Sequence, residues 1–276
     1  MPATGSFTNQ YESMILNLLF GGNPLPALPY LYLGYMVGVA SDQGPGAEPN
    51  GGGYSRVAVA NNSANWPIAS NMIKLNGSEI VFNEATANHG TVQAIGVFDS
   101  PSQGYLIAWM PLENPITVGV RDAMKIPIGG LQHSFQASGG LSTYAKNAIL
   151  NHVYGATPFN VIGLLYFGYS TTASTDTTGG TEPAVGGYAR SAVTNNAAVF
   201  PPTSTGSKTN FQDINFPEAT ATQGTMVGIV VYDAASGGNL IASSVLSPPQ
   251  AIGLNTEPRI RANTITFNLD LSWELL

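Results

Sequence analysis

The chain states its pattern twice. "EPNGGGYSRVAVANN" from Glu48 is matched by "EPAVGGYARSAVTNN" from Glu182, an offset of 134 residues. At the same offset "ILN" at Ile15 meets "ILN" at Ile149, and "LYLGY" at Leu31 meets "LYFGY" at Leu165. "FNEATANHGT" at Phe82 meets "FPEATATQGT" at Phe216, "VFD" at Val97 meets "VYD" at Val231, and "GYLIA" at Gly104 meets "GNLIA" at Gly238. No gap interrupts the register. A period this long rules out a solenoid of short units and indicates one domain duplicated in tandem. The Gly/Ser-rich "QASGGLST" (Gln136 to Thr143) is the joint at the right place. The expected organisation is an N-terminal arm (1–10), a first repeat (11–136), a linker (137–143), and a second repeat with a C-terminal strand extension (144–276).

Each repeat opens with a helix. Tyr11, Met14, Ile15, Leu18 and Leu19 recur at helical period, and Ala145, Ala148, Ile149, His152 and Val153 take the same places in the second repeat. Thr8 and Ser142 are N-cap residues, while Gly21 and Gly155, with Pro24 and Pro158 beyond, stop the helices. Short apolar and aromatic runs follow. "VGIVVYD" is apolar on both faces, as expected of a central covered strand. "DSPSQG" and "DAASGG" supply hairpin turns. At the end of the chain Ile265, Phe267, Leu269, Leu271, Trp273 and Leu275 alternate with polar residues. The fold class expected is mainly β: two tandem antiparallel β-sandwich domains, each with one short N-terminal α-helix.

Composition narrows the function. Hydrophobic residues make up 43% of the chain and charged residues only 9%, against roughly a quarter in ordinary soluble domains. Such a surface suits a protein packed against other protein, or a β-rich protein kept in solution by its amides and hydroxyls. Net charge is −7 and no Lys/Arg cluster exists, so no nucleic-acid partner is expected. The absence of Cys excludes disulfides, thiol catalysis and Cys-ligated zinc. No signal peptide is expected from "MPATGSFTNQ", and no apolar run approaches the ~18 residues of a membrane span, so no membrane partner is expected either.

A helix, then "YLG", "EP…GGYAR…VTNN", "F…AT…GT" and "DA.SGGNLI" in that order resembles a domain of tailed-bacteriophage virion proteins. These are of the tail-fibre-like kind, with relatives among head decoration or cement proteins. The second repeat carries the resemblance best, through Tyr188, Ala189, Arg190, Pro217, Ala219, Thr220 and the stretch from Asp233 to Leu240. The first departs at Ser55, Asn83 and Ser102. The resemblance covers nearly the whole chain. It implies a virion β-sandwich protein and supplies no catalytic residue to carry over.

The candidate sites are few. Arg56 and Arg190 lie two residues after Tyr54 and Tyr188, on the same strand face. They could bind a receptor or glycan beside an aromatic ring. Alternatively they pair internally with Glu48 or Glu84, and with Glu182 or Glu218, under the Tyr ring. Gly52/Gly53 and Gly186/Gly187 lack the "GK[ST]" and following helix of a phosphate loop. Asp99 and Asp233 end strands and are expected to accept backbone N–H bonds in the turns. None of His89, His133 and His152 is shared by both copies, and they show no metal or triad spacing. The loops "SDQGPGAEP" and "STDTTGGTE" lack an EF-hand pattern. No catalytic residue, cofactor or metal is therefore expected. The "LSWELL" tail is the interaction candidate. Trp273, Leu275 and Leu276 either extend the domain's own sheet or add to a neighbouring subunit's edge.

These readings converge on a non-enzymatic virion structural protein, made in the host cytoplasm and located in the virion. A capsid cement or decoration protein bridging major capsid proteins is expected. The alternative is a tail-fibre or baseplate component that binds a host receptor. Partners would be the major capsid protein or other virion proteins, within a homo-oligomer.

Overall fold

The computed structural model describes residues 5–135, 140–269 and 271–275, the last stretch by its backbone. The first repeat runs β1 (Ser6–Phe7), α1 (Asn9–Leu19), β2 (Tyr30–Met36), β3 (Val57–Ala60), β4 (Ile73–Leu75), β5 (Ile80–Val81), β6 (Gly90–Phe98), β7 (Leu106–Val118), β8 (Lys125–Ile126) and β9 (Leu131–Phe135). The second runs β10 (Gly140–Leu141), α2 (Thr143–Val153), β11 (Leu164–Ser170), β12 (Ser191–Thr194), β13 (Ser207–Thr209), β14 (Ile214–Asn215), β15 (Gly224–Tyr232), β16 (Leu240–Ile252), β17 (Arg259–Ile260) and β18 (Thr266–Asn268). A last strand, β19 (Leu271–Leu275), follows. The fold is mainly β, with two helices among the described residues.

Both repeats build the same five-stranded antiparallel sheet, ordered β1-β7-β6-β2-β3 and β10-β16-β15-β11-β12. Shorter pairs complete each repeat: β4 with β9 and β5 with β8, then β13 with β18 and β14 with β17. β1 and β10 fall inside the segments expected as arm and linker. Residues 136–139 of that linker lie outside the described residues.

The central strand β6, the first-repeat counterpart of the "VGIVVYD" strand β15, is covered on both faces. Ile95 and Val97 point into the main core, while Ala94 and Phe98 join a smaller cluster with Met36, Ala40 and Leu106 on the other face. A bulge between Val92 and Ala94 shifts the alternation by one, so Val92 also reaches the main core. The second repeat has the same irregularity between Met226 and Gly228.

Thr8 and Ser142 cap the helices, accepting from Tyr11 N (3.4 Å) and Ala145 N (3.1 Å). The buried helical face is wider than the sequence stripe. Ser13 and Leu16 are buried in α1, Lys146 and Leu150 in α2, while Met14 and Ala148 are only half-buried. The cause is that each helix packs on two surfaces. α1 rests on β1 and β7 of its own sheet and also against β13 of the second repeat. α2 rests on β16 and against β4 of the first. The repeats thus hold each other's helices, and one continuous hydrophobic core runs through both.

Candidate functional site

The Glu–Tyr–Arg motif is the same in both repeats. Arg56 donates from Nε and Nη2 to the Glu48 carboxylate (2.6–3.2 Å) and from Nη1 to the carbonyls of Ser100 (2.8 Å) and Gln103 (2.7 Å). Its guanidinium carbon lies 3.4 Å above the centre of the Phe98 ring. The Tyr54 hydroxyl donates to Glu48 Oε1 at 2.5 Å. Arg190 repeats this with Glu182, the carbonyls of Ala234 and Gly237, and the ring of Tyr232 at 3.5 Å. Tyr188 donates to Glu182 Oε1 at 2.5 Å. Burial first, and then the carboxylate beside each hydroxyl, push Tyr54 and Tyr188 well above the ordinary phenol range. Of the two acidic partners weighed for each arginine, the structure places Glu48 and Glu182 there. Every guanidinium nitrogen bonds to protein and the two arginine side chains are only 5% and 7% exposed, so the motif is turned inward to the fold.

This cluster also explains a glycine. A Cβ at Gly34 would lie 2.7 Å from both Glu48 Oε1 and the Tyr54 hydroxyl, and Gly168 is equally crowded by Tyr188 and Glu182. The hairpin that supplies the carbonyls is closed by Asp99, which accepts from Tyr105 N at 2.8 Å. Asp233 accepts from Asn239 N at 2.7 Å. Both carboxylates serve their own turns, each in a separate repeat.

The histidines substitute for non-titrating residues. His89 bridges the Tyr35 hydroxyl (2.6 Å) and the Gly52 carbonyl (2.8 Å). At the equivalent position Gln223 bridges Tyr169 and the Gly186 carbonyl. His133 takes the place of Phe267 and packs 4.2 Å from the Tyr154 ring, with its basicity lowered by burial. His152 is buried and accepts from Phe159 N at 3.1 Å. Among the described residues no group of His, Asp or Glu is arranged to hold a metal ion, and no helix is long and apolar enough to cross a membrane.

The seam between the repeats was not visible in the sequence. Asn61 donates to the carbonyls of Leu28 (2.9 Å) and Val153 (3.0 Å), joining the first repeat to the end of α2, and accepts from Gly155 N. Asn195 does the same for the end of α1, bonding to the carbonyls of Ile162 and Leu19 and to Gly21 N. Beside them lie two buried lysines, each only 2% exposed. Lys74 Nζ donates to Asn151 Oδ1 at 2.9 Å, and Lys208 Nζ donates to Asn17 Oδ1 at 2.6 Å and the Pro201 carbonyl at 2.8 Å. Among the described residues neither has a carboxylate within ion-pair distance. Burial pulls both ammonium groups down to about 8. What holds them charged is the carboxyl end of the other repeat's helix, whose dipole and side-chain amide face them. Aromatic rings seal the seam: Tyr154 against Trp66 and His133 on one side, Phe20 against Phe200 and Phe267 on the other. The sequence signal was recurrence at the repeat offset: Asn61 and Asn195 are the first members of the paired "NN", and Lys74/Lys208 and Asn17/Asn151 also lie 134 residues apart.

The tail forms backbone pairs within the chain. β19 runs antiparallel to β9, with Leu271 opposite Phe135, Trp273 opposite His133 and Leu275 opposite Leu131. It therefore adds to the first repeat's short sheet, in the order β19-β9-β4. Leu276 and the side chains of Trp273 and Leu275 lie outside the described residues.

Comparison with known families gives a match to Podophage GP4 fiber I protein gp80 over residues 6–134 and again over 140–268. The chain belongs to this fibre family. Each copy of the family pattern coincides with one repeat, from its short first strand (β1 or β10) to its last (β9 or β18). The chain is accordingly a phage virion protein built by tandem duplication, and β19 lies beyond the second family match. No curated protein matches it.

Proposed function

We propose that this protein is a non-enzymatic structural subunit of a phage fibre, in which two interlocked repeats act as one rigid connector between virion proteins. The observation that carries this reading is the fibre-family match over both repeats, joined to the packing of each helix against the other repeat as well as its own. The chain's buried charges serve the fold: Arg56, Arg190 and Lys146 are paired with carboxylates, and Lys74 and Lys208 anchor helix ends. Of the two locations expected from the sequence, the capsid shell and the tail, the family match favours the tail. Its partners are then neighbouring virion proteins, and two similar lobes give it two related contact surfaces whose effects multiply through avidity.

Immunogold labelling of intact particles, with quantitative mass spectrometry of purified virions, tests this. The expected result is label at the tail and a copy number far below that of the major capsid protein. Label spread over the head in near-stoichiometric amounts would instead establish a capsid cement protein.

A further inference from the structure

The two repeats differ at one place that bears on assembly. In the first, β19 occupies the space between β9 and the β1/β7 edge of the large sheet, touching all three strands. There Met110, Leu112 and Leu131 are buried. The equivalent space in the second repeat lies between β18 and the β10/β16 edge and holds no strand among the described residues. It is an open cleft of about 950 Å³. Among the described residues β18 pairs only with β13, and no strand lies on its other backbone edge. The counterparts of Met110, Leu112 and Leu131 are Ser244, Leu246 and Ile265, which are exposed or half-buried.

A free strand edge over an apolar floor is an acceptor for strand addition. The floor here includes Met226, Ile252 and Phe267, while Ser244 lets the cleft stand in water until it is filled. The occupant follows from counting. Each chain carries two such clefts and one tail strand, so exchanging tails between copies leaves as many clefts open as before. A strand from a different polypeptide fills this cleft without vacating another. Its chemistry follows from the filled counterpart. The register of β19 on β9 places an incoming strand antiparallel to β18, with alternate residues opposite Leu269, Phe267 and Ile265. The carboxyl end of that strand would run towards Thr264, whose hydroxyl donates to the Arg261 carbonyl. Arg259 and Arg261 line this end, where the first repeat has Lys125 and Pro127. Glu257 also lines the cleft and Arg259 lies 3.9 Å from Asp213, which leaves Arg261 as the cation without a carboxylate in ion-pair distance among the described residues.

We propose that the cleft of the second repeat is a strand-acceptor site for an extended segment of another virion protein, apolar at alternate residues and acidic towards its carboxyl end. Only the source of the strand rests on the virion reading. The acceptor chemistry stands on the cleft itself.

The test has two arms. In the first, a fluorescent peptide of sequence LDLSWELL, copied from residues 269–276, is titrated into the full chain. One peptide should bind per chain, and the double variant Arg259→Glu/Arg261→Glu should weaken binding at least about tenfold. Absence of binding, or binding that a scrambled peptide or the double variant leaves unchanged, would overturn the acceptor site. In the second arm, a photo-crosslinking residue replaces exposed Thr266 in phage particles. A cross-link to a different virion protein supports the proposal. A cross-link to a second copy of this chain, or none, overturns the assignment of the occupant, whichever way the labelling of particles falls.

Discussion

Stability should rise as the solution is made alkaline, because of the two buried lysines. Each has an ordinary value of 10.5 and is held at about 8 in the folded protein. The folded state therefore releases these protons first. Between about pH 8 and 10.5 the unfolded chain binds more protons, and the unfolding free energy climbs with pH. Below pH 8 both states are protonated and the cost is constant, at roughly 3 kcal/mol for each charged lysine. From pH 7.5 to 9.5 the gain should approach about 2 kcal/mol per lysine. Buried tyrosines act in the opposite sense but later. Tyr11, Tyr54 and Tyr188 titrate above their ordinary value of 10, so the stability they carry is kept below pH 10 and lost beyond it. The clean perturbation is Lys74→Met. Asn151 Oδ1 keeps its bond from Ala69 N at 2.8 Å, so removing the ammonium leaves that oxygen satisfied. At pH 7 the variant should gain about 1–2 kcal/mol, the relieved desolvation less one lost hydrogen bond. That advantage should vanish near pH 10. Urea unfolding across this pH range, followed by tryptophan fluorescence, measures both. A wild-type stability that stays flat between pH 8 and 9.5, or a variant with an unchanged slope, would show that Lys74 is solvated and refute the reasoning.

Three further outcomes follow from the same geometry. Arg56→Ala should lower stability by about 3–5 kcal/mol in chemical denaturation, because it leaves the Glu48 carboxylate without its buried partner. Gly34→Ala should cost roughly 2 kcal/mol or more by the same measurement, since its Cβ meets Glu48 and Tyr54 at 2.7 Å. The repeats should not unfold separately. Calorimetry of the full chain should give one transition, and a fragment of residues 5–135 should fail to give a cooperative one, because α2 and β19 cover its seam face.

Much of each repeat was legible because its causes are local. Thr8 and Ser142 cap helices by bonding three residues ahead, and Asp99 and Asp233 close turns within six residues. The duplication made these signals firmer by stating them twice. The Glu48–Tyr54–Arg56 cluster was half legible. Strand alternation put Tyr54 and Arg56 on one face, but spacing alone could not choose between Glu48 and Glu84, because that choice depends on where a loop returns. The lysines were not legible as buried. Lys74 in "MIKLN" and Lys208 in "GSKTN" recur at the repeat offset, but only the docked helix of the other repeat buries them.

From the sequence alone came the tandem repeat, the mainly β class, the helix caps and the hairpin turns, all set by periodicity and short-range bonding. Tertiary structure decided what those elements join. Two repeats of one topology offer equivalent grooves, so the shared pattern does not say which repeat packs on α1, α2 or β19. The reach of the chain and the shape of the packed seam decide it. They press each helix against the other repeat as well as its own sheet, return the tail to β9, and leave the second repeat's cleft without a strand among the described residues.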